Sequence, residues 1–259
     1  MTTARVEVRQ FSCLSDNFGV LIHVPETGGT IAVDVPDAAP YRAVLAETGW
    51  RLTDILVTHH HWDHVQGLGE LKSETGARAV GPEMSRERIE GLDETVGDGD
   101  EITVAGLGFR AIATPGHTLD QISWWAPQAG LAHTGDTLFA LGCGRIFEGD
   151  AAMMWASLDK LATLLPPETT VYCGHEYTLA NARFAVTVDP DNAELAARAE
   201  EIERLRGDGQ ATLPTTMAAE LATNPFLRAR DPAIRRHLGL EGASDAEVFA
   251  EIRRRKDSF

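Results

Sequence analysis

The chain has 259 residues, 43% of them hydrophobic, which is enough for one large domain or a main domain with a smaller one. Its 23 Lys and Arg against 39 Asp and Glu leave a net charge of −16, which argues against nucleic-acid phosphates and anionic membranes as partners. Met1 to Phe11 alternates charged and apolar residues without a signal core, and no apolar run approaches the ~18 residues that span a bilayer, so a soluble, cytoplasmic protein is expected.

From Val6 to about Val35 the pattern is β, with the apolar run Val20–Val24, a turn at Gly28-Gly29, and a strand from Thr30 to Val33. Pro40 to Thr48 predicts a short helix closed by Gly49. The apolar segment Ile55-Leu56-Val57 predicts a buried strand. Further strands are expected within Gly76–Gly81 and Glu101–Pro115, separated by the turn Gly97-Asp98-Gly99-Asp100. Ile122–Trp125 and Gly130–His133 read as two strands across Pro-Gln-Ala-Gly. Asp150 is placed to cap a helix running to about Leu165, where Pro166-Pro167 stops it, and Val171–Cys173 is one more short strand. After about His175 the pattern turns helical: Asn192–Arg206, Met217–Ala222, Pro232–Leu238, and Asp245–Lys256, the last with Ser244 and Glu247 spaced as a capping box. Strands with interspersed helices are therefore followed by a helical region, dividing the chain into domains 1–175 and 176–259. Cys13, Cys143 and Cys173 are few, odd in number and far apart, and are expected to be small buried apolar residues.

The chemistry concentrates in Thr58-His59-His60-His61-Trp62-Asp63-His64, just past a strand end. His59 and His61 are two apart, so an extended chain points both to one side, while a turn at Asp63-His64 aims those two elsewhere. Such a segment can feed two metal ions. His60 lies between two ligand candidates and is expected to point away, toward packing or support. Further candidates follow strands: His117, Asp136 and His175, each preceded by a glycine. The isolated carboxylate Asp136 is the candidate bridge. His23, His133 and His237 are expected to be satisfied polar residues rather than ligands. Mixed His and Asp ligands without Cys suit zinc, iron or manganese, and their number suits two ions sharing one carboxylate. Two such ions lower the pKa of a shared water and polarise a carbonyl, which makes hydrolysis the natural reaction class, with Asp63 and Asp136 acting through the hydroxide so formed.

In order and spacing, His59-His60-His61-Trp62-Asp63-His64, His117, Asp136 and His175 resemble the motif set of the metallo-β-lactamase superfamily. Asp34 matches that superfamily's early Asp, either as a brace for the site loops or as a plain turn residue. Within it, the chain is similar to the glyoxalase II family over nearly its full length. The carriers are Ser15-Asp16-Asn17-Phe18, Thr137-Leu138-Phe139, Gly142-Cys143-Gly144-Arg145, Gly174-His175-Glu176-Tyr177-Thr178, Asn224-Pro225-Phe226-Leu227-Arg228 and Arg253-Arg254-Arg255-Lys256-Asp257. The resemblance implies an α+β fold, an αββα sandwich followed by a small α-helical domain. It implies His59, His61 and His117 on one metal, Asp63, His64 and His175 on the other, and Asp136 bridging. It also implies glutathione binding at Arg145, Tyr177, Arg253 and Lys256, and hydrolysis of S-D-lactoylglutathione, or other 2-hydroxyacyl-glutathione thioesters, to D-lactate and glutathione. The protein is then expected to be a monomer acting on a small molecule.

Two departures stand out: Arg145 where the family often has Lys, and Phe147 where it often has Tyr. Arg253 and Lys256 share a helix face, and Arg forks match the two carboxylates of glutathione. The same cations would also suit the C-terminal end of any helix. Other branches of the fold are weaker matches. A β-lactamase is usually exported, a persulfide dioxygenase should lack the C-terminal helices, and a nuclease needs a basic groove. A non-catalytic metal- or glutathione-binding protein is the rival from a different class, and the complete ligand set argues against it.

Overall fold

The computed structural model describes residues 4–259, so Met1–Thr3, the start of the N-terminal segment discussed above, lie outside the described residues. The chain divides into two compact units, one running to Ala113 and including Asp120–Gly135, the other made of Thr114–Leu119 and Asp136–Phe259.

The first unit begins with β1 (Glu7–Cys13), β2 (Asn17–Val24) and β3 (Gly29–Val33), an antiparallel run, and continues after α1 (Ala38–Thr48) into β4 (Arg51–Leu56). The short α2 (Trp62–Val65) and α3 (Leu68–Thr75) follow, then β5 (Arg78–Pro82) and β6 (Glu94–Val96). The sheet order is β1-β2-β3-β4-β5-β6, parallel from β3 onward. Parallel strands need both faces covered, which explains why β3 is buried at every residue. Tyr41 of α1 and Leu68 and Leu71 of α3 supply one cover, packing with Leu21, Ala32, Ile55 and Ala79 from four successive strands. An antiparallel sheet of β7 (Glu101–Val104), β8 (Leu107–Ala113), β9 (Ile122–Ala126) and β10 (Leu131–His133) supplies the other. From β9, the fully buried Trp124 donates its indole N–H to the Val57 carbonyl just past β4.

The second unit contains the small hairpin β11 (Leu138–Phe139) and β12 (Gly142–Cys143), then α4 (Ala151–Leu164), β13 (Thr170–Tyr172), α5 (Thr178–Val188) and α6 (Ala193–Gly207). It ends with β14 (Thr215–Thr216), α7 (Met217–Thr223), α8 (Pro232–Leu238) and α9 (Asp245–Asp257). The cap residues do what their chemistry predicts. Asp150, Asn192, Thr216, Asp231 and Ser244 each accept from a backbone N–H in the first turn of their helix, and Ser244 and Glu247 form the capping box. Phe184, Phe226, Phe249 and Trp155 form an aromatic chain through α5, α9 and α4, with neighbouring centroids about 6 Å apart.

The predicted strands and helices are present, within a few residues of their expected ends. The sequence pattern does not predict helices α2, α3 and α5, the β11–β12 hairpin or the short strands β6 and β14. Among the described residues, no helix is long and apolar enough to cross a membrane.

Candidate metal centre

In the first unit, adjacent parallel strands position the His run. The register pairs Val33 of β3 with Leu56 of β4, so Asp34 emerges beside Thr58 at the carboxyl ends of the two strands. Asp34 has a φ of 53°, in the left-handed region that Asp tolerates better than most residues. This turns its buried carboxylate back onto the His run. There it accepts from the Thr58 N–H at 2.7 Å and from the Thr58 hydroxyl at 2.8 Å, and lies 2.8 Å from Nδ1 of His64.

That arrangement fixes protons as well as positions. The single proton of Thr58 is committed to Asp34, so the Thr58 oxygen accepts from Nδ1 of His59, 3.0 Å away. His64 likewise donates from Nδ1 to the carboxylate. Both imidazoles therefore carry their proton on Nδ1 and present Nε2 as a lone-pair donor, the state a metal needs. The rings of His59 and His61 lie 4.8 Å apart, and those of His59 and His64 4.2 Å apart. Asp63 lies in the first turn of α2, and its carboxylate accepts from the Asn17 side-chain amide at 3.1 Å and lies 3.8 Å from Nε2 of His64.

His60 behaves differently from its neighbours. Its Nδ1 faces the buried Asp120 at 2.9 Å, and Asp120 also accepts from the buried Ser85 hydroxyl. His23 bonds Thr30 and stacks on Trp50, His133 accepts from the Gly135 N–H, and His237 bonds the Thr187 carbonyl. Among the described residues, none of those three belongs to a group of side chains suited to holding a metal.

Further candidates lie in the second unit. His117 and His175 both aim Nε2 at one oxygen of Asp136, at 3.4 and 3.2 Å, so that carboxylate is the convergence point of two imidazoles. Nδ1 of His117 is 2.8 Å from the Arg145 carbonyl, which can only accept, so this ring too offers Nε2. Close approach depends on glycine. A Cβ on Gly144 would collide with the Asp136 carbonyl oxygen, and one on Gly116, at φ 145°, would sit 2.9 Å from Met154. All seven candidate ligands, His59, His61, Asp63, His64, His117, Asp136 and His175, fall in groups of His and Asp that could hold a metal ion. With three tautomers set by supporting bonds, the donor set fits divalent-metal binding.

The expected substrate-binding residues also lie in the second unit. Tyr177 is 38% exposed and stacks flat on His175, with centroids 4.8 Å apart. Arg145 is exposed. Lys256 bonds the Ala180 carbonyl at 2.8 Å; burial, and then the positive charge of Arg253, push its pKa down to about 8. Arg253 is buried, with its guanidinium on the Cys143 carbonyl, on Asp257 at 2.6 Å and over the Phe226 ring. Phe147 is exposed, with its ring 5.2 Å from His117. The three cysteines are buried and free. Burial pushes Cys13 up to about 12 and Cys143 to about 11, and Cys173 well above the ordinary thiol range.

Sequence reasoning missed Thr58 and Asn17 as supports, and the pair His60–Asp120. The available signals were slight: a hydroxyl directly before the His run, an Asn opening an apolar strand, and an Asp three residues beyond His117.

Two family models together cover most of the chain: metallo-beta-lactamase superfamily over residues 27–175, and hydroxyacylglutathione hydrolase C-terminus over residues 176–259. A hydroxyacylglutathione hydrolase of Mesorhizobium japonicum is 57% identical over 98% of this chain and 99% of its own length. One of Brucella ovis is 54% identical with the same coverage. Among solved structures, ETHE1 from Myxococcus xanthus matches with a TM-score of 0.68 and 30% identity, over 96% of this chain and 90% of its own. The BLEG-1 B3 metallo-beta-lactamase matches with a TM-score of 0.66 at 19% identity, over 85% of this chain and 99% of its own, a likeness of fold.

Proposed function

This chain belongs to the hydroxyacylglutathione hydrolase (glyoxalase II) family of the metallo-β-lactamase superfamily, and from that premise we propose that it hydrolyses S-D-lactoylglutathione to D-lactate and glutathione. The family's C-terminal model matches the helical region, and this carries the reading beyond the shared metallohydrolase fold to glutathione thioesters. The ends of the two family models support a domain boundary between residues 175 and 176.

The superfamily and its His and Asp groups support divalent-metal binding. Our assignment is two ions, zinc by preference, with iron or manganese as alternatives. His59, His61 and His117 would hold one ion and Asp63, His64 and His175 the other, with Asp136 a ligand available to both. When bound, the ions supply an acidified water as nucleophile and a Lewis acid for the thioester carbonyl. The protein's own residues do the rest. Asp34 and Thr58 hold the His59 and His64 rings in the ligating tautomer. Asn17 steadies Asp63, which serves as a ligand rather than a proton donor. Arg145, Tyr177 and Lys256 receive the glutathione moiety, its two carboxylates matching the cations. Arg253 is assigned to the same substrate-binding group and fixes the Cys143 carbonyl. A thiolate with a parent pKa of ~8.5 departs without a general acid, so the site needs no further proton donor. The protein acts as a cytoplasmic monomer in this reading.

The test is hydrolysis of S-D-lactoylglutathione by metal-replete protein, followed at the thioester absorbance, with a chelator control and metal restoration. Rapid, chelator-sensitive turnover is expected. Metal-loaded protein that leaves this thioester intact would refute the substrate.

A further inference from the structure

The β11–β12 hairpin lies between two residues of the proposed site, Asp136 two positions before it and Arg145 two positions after it. Each strand is only two residues long, too short to hold its own shape in water. Its tip residue Leu141 has a φ of 57°, a left-handed conformation that costs a non-glycine residue free energy. Something outside the hairpin must hold it, and side chains from the helices do so. Asn224 donates to the Phe139 and Gly142 carbonyls, Asn181 to the Ala140 carbonyl, and Arg253 to the Cys143 carbonyl.

Glu220 is the centre of this grip. Its carboxylate is fully buried in α7, 79 residues from the tip. One oxygen accepts from the Leu141 N–H and from Asn224, both at 2.9 Å. The other accepts from Arg198 at 2.5 Å and from the Thr215 hydroxyl at 2.7 Å. Arg198 in turn bonds Thr223 and the Ala219 carbonyl, closing the network on α6 and α7. A buried carboxylate with all its acceptor sites in use defines one position for the groups it touches. Here those groups set the strained tip, and the hairpin passes that constraint to both of its ends. Asp136 lies at one end, and at the other is the Arg145 carbonyl that orients His117.

We propose that Glu220 is a positioning residue for the reaction: through the Leu141 N–H it fixes the hairpin that spaces Asp136 from Arg145. The inference rests on Asp136 being a metal ligand and Arg145 a substrate contact, as proposed above. In Glu220→Gln, one acceptor becomes a donor. Whichever way the amide turns, a donor faces either Leu141 and Asn224 or Arg198 and Thr215.

The experiment compares wild type, Glu220→Gln and Ile234→Ala, a core truncation in α8, at a temperature where circular dichroism shows all three folded. Zinc affinity is read by competition with a chromogenic chelator, and KM and kcat on S-D-lactoylglutathione are read in parallel. Glu220→Gln should bind zinc about 10-fold more weakly, as loss of an outer support typically does, and should raise KM, while Ile234→Ala loses stability alone. If Glu220→Gln does not fold, Glu220→Asp carries the test, because it keeps the charge beside Arg198 while withdrawing the oxygen from Leu141. Folded Glu220 variants with wild-type zinc affinity and KM would overturn the positioning role and leave the metal assignment standing. Wild-type protein that takes up no zinc, iron or manganese would overturn both.

Discussion

Asp34→Asn tests the wiring of the His run most directly. The substitution keeps the size of the side chain and a residue type that tolerates the local φ of 53°. It leaves one oxygen where three donors need two: the Thr58 N–H on Oδ1, and the Thr58 hydroxyl and His64 Nδ1–H on Oδ2. Suppose the amide oxygen faces His64. The NH2 group then opposes the Thr58 N–H, and a buried donor left unsatisfied costs about 1–3 kcal/mol. Suppose instead that it turns over. The NH2 then faces Nδ1 of His64, which must accept; the ring proton moves to Nε2, and the ligating lone pair is lost. Losing an outer-sphere partner of that kind typically weakens metal binding by about 10–100-fold. One orientation appears in stability and the other in metal uptake, so both are measured: urea unfolding of metal-free protein, and zinc titration against a competing chelator. At least one must move by the stated amount. A variant within about 0.5 kcal/mol of wild type and with unchanged zinc affinity would refute the tautomer argument.

Lys256→Ala should raise KM for the glutathione thioester with kcat little changed, the mark of lost uniform binding. With its pKa down at about 8, Lys256 is charged below that pH and neutral above it, so KM should climb as pH rises through 8. The same depression means the unfolded chain holds this proton more tightly, so Lys256 favours the folded state increasingly as pH rises from about 8 to 10.5, which denaturation across that window would show. Arg253→Ala should differ in kind: removing a buried cation from the Cys143 carbonyl should lower stability by about 2 kcal/mol, read in the unfolding midpoint, in addition to any effect on KM. Phe147→Tyr restores a hydroxyl to an exposed ring beside His117 and should lower KM by up to about 5-fold, the worth of one hydrogen bond; an unchanged KM would show that ring has no part in binding.

What the sequence made legible was what local chemistry controls. The His run, the helix caps at Asp150 and Asn192, and the Ser244–Glu247 box each rest on residues a few positions apart. Helix α5 escaped because six of its eleven residues are buried, which blurs the one-sided period that marks a surface helix, and because Tyr177 gives it no side-chain cap. Helix α3, with eight residues and two buried, is too short to show a period. The β11–β12 hairpin was invisible for a different reason: its two-residue strands are held by side chains 41 to 110 residues away. In the site, the candidate ligands can be named from residue type and spacing alone, whereas their supports become visible only in the structure. Thr58 matters because the register of β3 on β4 brings Asp34 beside it, a fact of tertiary pairing that no spacing in the chain announces.

The burial of the three cysteines has a consequence for the lifetime of the catalyst. A protein that cleaves thioesters handles an activated acyl group and releases a free thiol at every turnover. A reactive cysteine nearby would capture the acyl group by transthioesterification or trap glutathione as a mixed disulfide. Both side reactions require a thiolate. Cys143, whose carbonyl is held by Arg253, is shielded and stays protonated until about pH 11, and Cys173, two residues before His175, is raised further still. The fold thus keeps its own sulfur inert toward both the substrate it consumes and the product it liberates.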